Sequence, residues 1–372
     1  MPTDPVLPDY GGACLSSVVP ALLGRGRGRR PGFLPELAEE ARQVVLLVLD
    51  GLGWEYLQSA MAYSPVLASG TGGPITSVAP TTTATALTSI ATGTAPAEHG
   101  ILGYRIRLPE TGSDEVANIL RWRTDRGDLR RRWPAASAQP APAFGGTGAP
   151  AVTKLEFGST GFTAAHLRGA RLVGWAVPST MVVEVRSLLG AGEPFVYAYY
   201  DGLDKVAHQY GLRDHYEQEL RTVDRLVGDL LGVLPPGAAL VVTSDHGQVE
   251  VGPATRLPGP ELLAGVQLLS GEGRFRWLHA RPGAHGDVLA AAEEAHGDEA
   301  WVRSRDQIVD EGWFGGPLRP DLLDRLGDVA LVARAPVAFL DPADTGETRL
   351  AARHGSLTSA EMLVPLLAFG PP

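Results

Sequence analysis

Three continuous apolar runs that each end at an acidic residue constrain the fold of this 372-residue chain more than any other feature. The runs are residues 43–50 (QVVLLVLD), 194–200 (PFVYAYY, followed by Asp201) and 238–243 (AALVVT, followed by Ser244 and Asp245). Runs without polar alternation are typical of strands covered on both faces of a parallel sheet. Such sheets bind ligands outside the carboxyl ends of their strands. The sequence therefore predicts an α/β fold with a mainly parallel central sheet, helices on its faces, and acids along one edge.

Charge and cysteine content exclude several classes of protein. The formal net charge of -10 argues against a general nucleic-acid surface or an anionic membrane surface, because those partners select basic proteins. Cys14 is the single cysteine, which excludes an intrachain disulfide and a thiolate metal cluster and fits a reducing compartment. No apolar run reaches the roughly 18 residues of a membrane span. We therefore expect a soluble, cytoplasmic protein; the oligomeric state is left open.

Composition also divides the chain. We predict an N-terminal extension (residues 1–42), a core (43–250 and 350–372, with a last strand at 362–369) and an irregular inserted cap (251–349), which is rich in Pro and Gly. The basic tract 25–30 (RGRGRR) is predicted to be a solvated loop. The Arg-rich run 121–132 either forms a solvated face or steers an anionic substrate.

Residues 80–93 (PTTTATALTSIATG) concentrate threonines where a helix is predicted to begin. The first N–H groups of a helix have no partner within the helix, and together with the helix dipole they favour an anion. One of these hydroxyls is therefore a candidate nucleophile. Threonine is also an ordinary helix N-cap, so the stretch alone leaves both interpretations open.

Carboxylates and imidazoles recur near the predicted strand ends. Asp204 and His208 are four residues apart and share one helix face. Carboxylate and imidazole ligands suit zinc, manganese or iron, and a pair of metals can hold both oxygens of an in-line phosphoryl displacement. The candidate ligands are Asp50, Asp201 or Asp204, His208, Asp245, His246 and His354. Each acid alone could equally be a helix cap, and the loop residue His99 is predicted to be structural.

In combination these motifs resemble the alkaline phosphatase superfamily, most closely its type I phosphodiesterase/nucleotide pyrophosphatase branch, over about residues 44–369. The matching motifs are Leu49-Asp50-Gly51, Pro80-Thr81-Thr82-Thr83 with Gly93 and His99-Gly100-Ile101, Asp204-x-x-x-His208-x-x-Gly211, Ser244-Asp245-His246-Gly247 and His354-Gly355. The resemblance implies an alkaline-phosphatase-like sandwich with inserted cap segments. It also selects Asp204 over Asp201 as the ligand.

The resemblance further implies the chemistry. Thr83 would be the nucleophile of a metal-dependent hydrolase that cleaves phosphodiester or pyrophosphate bonds of a small phosphate ester through a phospho-threonine intermediate. Two divalent metal ions are implied, usually zinc, with manganese as the alternative. The implied ligands are Asp50, Asp245 and His246 for the metal that touches Thr83, and Asp204, His208 and His354 for the other.

Two departures from the branch keep alternatives open. The branch usually has Phe-Pro-Asn-His after the nucleophile, where this chain has residues 84–87 (ATAL). Tyr104 stands where the branch places an Asn that donates to a phosphate oxygen, and it either donates its hydroxyl to substrate or packs in the core. The alternatives are a phosphomonoesterase, with Arg105, Arg107 or the 121–132 run facing the phosphate, and a catalytically silent member. A sulfatase lacks support because Thr83 is not in a Cys/Ser-x-Pro-x-Arg setting, and phosphomutases normally use Ser.

Overall fold

A computed structural model describes residues 4–24, 31–109, 114–344, 346 and 349–372. The predicted solvated loop at 25–30 lies outside the described residues. Within the described parts of the chain, every helix is too short or too polar to span a bilayer.

The strands of the described residues are numbered in chain order. They are β1 (Gln43–Leu49), β2 (Thr71–Thr76), β3 (Arg105–Arg107), β4 (Val116–Asn118), β5 (Arg123–Thr124), β6 (Gly127–Asp128), β7 (Pro150–Lys154), β8 (Arg171–Trp175), β9 (Phe195–Tyr200), β10 (Ala238–Thr243), β11 (Val249–Glu250), β12 (Thr255–Arg256), β13 (Val266–Glu272), β14 (Phe275–Ala280), β15 (Ala300–Ser304), β16 (Val329–Ala333), β17 (Ala338–Phe339), β18 (Ala352–Arg353) and β19 (Leu363–Phe369).

The helices are numbered in the same way. They are α1 (Leu15–Leu23), α2 (Glu36–Glu40), α3 (Trp54–Ser59), α4 (Pro65–Ala68), α5 (Thr83–Thr92), α6 (Pro96–His99), α7 (Ala135–Ala138), α8 (Gly161–His166), α9 (Pro178–Gly190), α10 (Gly202–Tyr210), α11 (Asp214–Leu231), α12 (Pro260–Ala264), α13 (His285–His296), α14 (Arg305–Asp310), α15 (Pro320–Leu323) and α16 (Ser359–Met362), with short 3-10 turns at Met61–Tyr63, Ala143–Gly146 and Leu155–Ser159.

A seven-stranded central sheet in the order β2-β19-β10-β1-β9-β7-β8 organises the molecule. The strands from β10 to β8 run parallel, whereas β19 is antiparallel to β10 and β2 is antiparallel to β19. Val48 pairs with Thr243 and Leu49 with Tyr200, so the acids that follow β1, β9 and β10 share one edge. The predicted mainly parallel α/β sheet is confirmed.

Strand β1 is apolar throughout because both faces of the sheet are covered. Alternate side chains point to opposite faces of a strand. Val44, Leu46 and Val48 join one hydrophobic core, and Val45, Leu47 and Leu49 join another. Helix α5 packs in the first of these cores, beginning at Thr83 and ending before Gly93, whose φ of +70° suits a residue without a Cβ.

The interpretation of residues 251–349 as irregular is wrong. They contain a four-stranded antiparallel sheet in the order β13-β14-β16-β15, with α13 against it and a core of its own. Pro and Gly mark the turns between short strands here. The Arg274 guanidinium binds both carboxylate oxygens of Glu361 on α16, at 2.8 and 2.6 Å, and joins this sheet to the main core. The domain boundaries themselves stay a prediction.

Candidate metal centre and nucleophile

The carboxyl edge of the central sheet brings the predicted site residues together. Asp50 directly follows β1, Asp245 and His246 follow β10, and Asp204 and His208 lie one turn apart on α10. The remaining two approach from outside the parallel strands: His354 follows β18, and Thr83 is the first residue of α5.

One group surrounds the Thr83 hydroxyl. The His246 Nε2 atom lies 3.1 Å from Thr83 Oγ1, 3.5 Å from Asp50 Oδ1 and 3.4 Å from Asp245 Oδ2. Both of these carboxylate oxygens are buried, and neither has a hydrogen-bond donor among the described residues. The other oxygens are held, because the Tyr199 hydroxyl donates to Asp50 Oδ2 and the Gly51 N–H donates to Asp245 Oδ1 at 3.2 Å. The two unpartnered oxygens therefore face a common space that suits a cation.

A second group adjoins the first. Asp204 Oδ1 lies 3.2 Å from His208 Nε2 and 3.7 Å from His354 Nε2, and it accepts a hydrogen bond of 2.7 Å from Gln248 Nε2. The His354 ring stacks on His246 with centroids 3.6 Å apart. Ligand atoms of Asp204, His246 and His354 lie within 4.8 Å of one another, so His246 lies between the two groups and His208 extends the second.

Backbone carbonyls fix all three imidazoles. The Nδ1 atoms of His208, His246 and His354 face the carbonyl oxygens of Ala352, Gly247 and Thr81, at 2.8, 3.1 and 2.9 Å. A carbonyl can only accept, so each Nδ1 carries a proton, and each Nε2 is the ring atom directed at the site, where the neutral form of the ring offers a lone pair. This arrangement is common for metal-ligating histidines.

Burial makes the site electrostatically unfavourable without a cation. Burial raises the pKa of Asp50 well above its ordinary value, and the charges of Asp245 and Asp204 raise it further. Burial also lowers the pKa of His246, so its ring is held neutral. Crowded buried acids beside neutral imidazoles lack a counter-charge, which a divalent cation would supply. The residues present fit metal ions.

The alternative ligand Asp201 has different neighbours. Its carboxylate pairs with Lys154 Nζ at 2.5 Å and with Lys205 Nζ at 2.7 Å. Asp204 instead faces two imidazoles. Asp204, the acid that the motif selects, is therefore the one of the two that lies among imidazoles, and its role as a ligand stays a prediction.

Two cavities meet at Thr83. One, of about 220 Å³, has a mainly apolar surface; Leu87, Phe157, Phe162 and Tyr199 line it, and so do Thr83, Asp50, Asp201, Asp204 and Lys205, among others. The other, of about 450 Å³, is called the polar cavity because most of the side chains that line it are polar or charged, among them Thr83, Tyr104, Asn118, Arg121, Lys205, His208, Arg353 and His354. Tyr104 is partly exposed here, and its hydroxyl accepts a 2.6 Å hydrogen bond from Asn118 Nδ2.

Most of the predicted basic residues have acidic partners. Arg105 pairs with the buried Asp341, and Arg107 pairs with Asp114 at 2.6 Å. Within the 121–132 run, the ion pairs are Arg126 and Arg132 with Glu115, and Arg130 with Asp128. Arg121 is the member of the run that lines the polar cavity.

His99 is structural, as predicted, although it is the last residue of α6 and does not lie in a loop. Its Nδ1 accepts from the Ile101 N–H at 3.1 Å, and its Nε2 lies 2.9 Å from the Ser89 hydroxyl.

Three polar residues at the site were not found from the sequence. Tyr199 lies within an apolar run, where nothing distinguished its hydroxyl from a core side chain. Gln248 follows Gly247 and was not singled out, although it lies two residues from a predicted ligand. Asn118 lies on β4, between Tyr104 and the 121–132 run, and it belongs to none of the motifs.

The fold, with carboxylates and imidazoles gathered at the ends of its parallel strands, is that of the alkaline phosphatase superfamily. The model of the type I phosphodiesterase / nucleotide pyrophosphatase family matches residues 44–357, and the chain belongs to this family. It is therefore a hydrolase of the phosphodiesterase/pyrophosphatase type, from a metal-dependent family. A search of curated protein sequences finds no match.

Solved structures with this fold share little sequence with the chain. Murine ectonucleotide pyrophosphatase / phosphodiesterase 5 is 17% identical over 88% of each chain, with a TM-score of 0.66. An inactive threonine-to-alanine variant of that enzyme is known in complex with AMP. Phosphonoacetate hydrolase from Sinorhizobium meliloti 1021, in complex with phosphonoformate, is 21% identical over 92% of each chain, with a TM-score of 0.65.

Proposed function

We propose that the protein hydrolyses phosphodiester or pyrophosphate bonds in a small substrate, with Thr83 as the nucleophile. The position of the Thr83 hydroxyl carries the proposal. It lies 3.1 Å from His246 Nε2, beside both ligand groups and at the junction of two cavities. The inactivity of the threonine-to-alanine variant of murine ectonucleotide pyrophosphatase / phosphodiesterase 5 is consistent with this role.

The helix start supports an anionic intermediate. Thr83 is the first residue of α5, where N–H groups without partners in the helix favour a phosphoryl group. The Thr83 oxygen would form a bond to phosphorus as the bond to the leaving oxygen breaks, and water would then hydrolyse the phospho-threonine. Without activation a threonine hydroxyl is a weak nucleophile.

We propose two divalent ions, zinc or manganese, at the two ligand groups. Asp50, Asp245 and His246 would hold one beside Thr83, and Asp204, His208 and His354 would hold the other. Bound ions would supply positive charge to the attacking and leaving oxygens of the displacement. The chain's own contribution is to hold the carboxylate oxygens and the Nε2 lone pairs in place through Tyr199, Gln248 and backbone groups.

The two cavities favour a diester over a monoester. A diester carries two substituents on phosphorus, and two cavities, one mainly apolar and one lined mostly by polar side chains, both reach Thr83. Of the basic residues that a phosphomonoesterase would use, Arg105 and Arg107 are already engaged by Asp341 and Asp114, which leaves Arg121 of the 121–132 run at the polar cavity. Substrate identity beyond this, and the cytoplasmic location, stay predictions.

The test is the ratio of kcat/KM for bis-p-nitrophenyl phosphate to that for p-nitrophenyl phosphate, in protein stripped of metal and reloaded with zinc or manganese. A ratio well above one supports the diesterase, and a ratio well below one supports the monoesterase. Thr83→Ala should retain its metal and lose nearly all turnover. Thr88→Ala, which removes a hydroxyl bonded to Ala84 O on the same helix, is the control. Full activity in Thr83→Ala would refute the nucleophile assignment.

A further inference from the structure

Asn118 is the single asparagine among the 372 residues, and it lies at the polar cavity beside Thr83. It ends β4, where antiparallel pairing sets it opposite Arg105 in β3. Tyr104 immediately precedes β3, so the pairing brings the Asn118 and Tyr104 side chains into contact. Two residues separated by fourteen positions in the chain therefore form one polar unit on the cavity wall.

The orientation of the Asn118 amide is fixed by its neighbours. The Arg121 backbone N–H donates to Asn118 Oδ1 at 3.0 Å, and Asn118 Nδ2 donates to the Tyr104 hydroxyl at 2.6 Å. A backbone N–H can only donate, so the atom facing it must be the amide oxygen. The NH₂ group therefore lies on the Tyr104 side. It carries a second N–H, for which the described residues provide no other acceptor.

We propose that Asn118 donates this second N–H to a non-bridging phosphoryl oxygen of the substrate, with Tyr104 as the residue that positions it. The inference rests on the proposed phosphoryl-transfer function and names a substrate-binding residue for it. The cavity that Asn118 and Tyr104 line is also lined by Thr83, His208 and His354, so the amide and the proposed nucleophile open into the same space. Donors aimed at oxygens where negative charge develops stabilise the transition state.

This assignment accounts for the departure at position 104. The resemblance leads us to expect a phosphate-binding amide there, and the chain has a tyrosine instead. The amide is supplied from the adjacent strand, and the tyrosine hydroxyl accepts one of its two protons. An amide group thus lines the cavity although position 104, where the family has its asparagine, is a tyrosine in this chain.

The first test is Asn118→Asp. The carboxylate matches the amide in shape, it can still accept from the Arg121 N–H, and the Tyr104 hydroxyl can donate to it, so a purely structural role would be preserved. A substrate-binding role would be lost because an acceptor with negative charge would face the phosphoryl oxygen. We expect kcat/KM for the diester to fall about 10²-fold or more, with metal content and melting temperature unchanged. Gln218→Glu, the same change of amide to carboxylate at an exposed position on α11, is the matched control.

A second measurement uses the Rp and Sp phosphorothioate forms of a p-nitrophenyl diester. Asn118→Ala should change the Rp/Sp rate ratio, because sulphur replaces the contacted oxygen in one form alone. Asn118→Asp activity within threefold of wild type, or an unchanged ratio, would overturn the proposal.

If the wild-type protein hydrolyses no diester, the proposed function is refuted, but the proposed contact between Asn118 and phosphate is not. The affinity for inorganic phosphate of the metal-loaded protein, measured by calorimetry, then tests the amide directly. Asn118→Asp should weaken it at least tenfold, and equal affinity in the two proteins would refute the contact.

Discussion

The contrast between Asp204 and Asp201 gives the sharpest prediction, because the two acids differ in their neighbours and lie three residues apart. Asp204→Asn should remove metal and be as stable as metal-free wild type. Asp201→Asn should weaken the fold and leave the metal. The structural reason is that Asp204 faces the Nε2 atoms of His208 and His354, whereas Asp201 faces the ammonium groups of Lys154 and Lys205.

The magnitudes follow from charge and burial. Unit charges 4 Å apart interact by about 4 kcal/mol at an effective dielectric constant of 20, and a divalent ion doubles this. If about half is offset by desolvation of the carboxylate, about 4 kcal/mol remains, which is about 10³-fold in metal affinity. For Asp201→Asn, the mostly buried Lys154, with 20% of its side chain exposed, loses its partner, and we expect about 2 kcal/mol of destabilisation.

Metal affinity would be measured by competition with a chromophoric chelator, and the free energy of unfolding by urea titration. Equal loss of metal in both variants would refute the assignment of Asp204 as the ligand. An Asp204→Asn protein that binds its full complement of metal and is fully active would also refute this assignment.

Three further predictions concern the same site and its surroundings. Tyr199→Phe removes the hydroxyl that donates to Asp50 Oδ2 and should lower metal affinity or kcat by about 10- to 100-fold, and assays on matched metal loads check this. Chelation should lower the free energy of unfolding by about 3 kcal/mol relative to protein with metal at 100 times its Kd; an unchanged urea midpoint would contradict a bound metal. Burial lowers the pKa of His99 to about 3, so this residue is neutral when folded and takes up a proton on unfolding between about pH 3 and 6.5. Stability should therefore fall as the pH drops below 6.5, and His99→Leu should reduce the slope by about 1.4 kcal/mol per pH unit; the same slope in urea titrations at pH 6 and 5 would rule this out.

The sequence predicted the parts of the fold that depend on long, fully buried strands. The runs that form β1, β9 and β10 contain almost no polar residue. They could therefore be predicted as strands, and the acids that follow them could be placed at the strand ends. Strands β2, β7 and β8 were missed. β2 contains Gly72, Gly73 and Pro74, which indicate a turn locally, and its pairing with β19 overrides that preference. β7 and β8 are short, and no local pattern specifies their place at the other edge of the sheet.

The site divides in a similar way. Candidate ligands could be predicted because carboxylate and imidazole side chains, at this spacing and near strand ends, are typical of metal sites. Their supporting residues could not be, because contacts such as Tyr199 to Asp50 and Asn118 to Tyr104 depend on how strands pair. The sheet within residues 251–349 was missed for the same reason, since its short strands pair across intervening helices and turns.

The proposed site contains groups that are unfavourable for the stability of the fold. Asp50 and Asp245 each have one buried oxygen without a donor in the described structure, and burial raises the pKa of both. A chain selected for stability alone would replace such acids, because buried unpaired carboxylates are costly. Their remaining oxygens are nevertheless held by Tyr199 and by the Gly51 N–H, so the unpartnered ones have a defined direction. Groups that are oriented at a cost to stability are expected where a ligand completes them. The Thr83 hydroxyl lies beside that place.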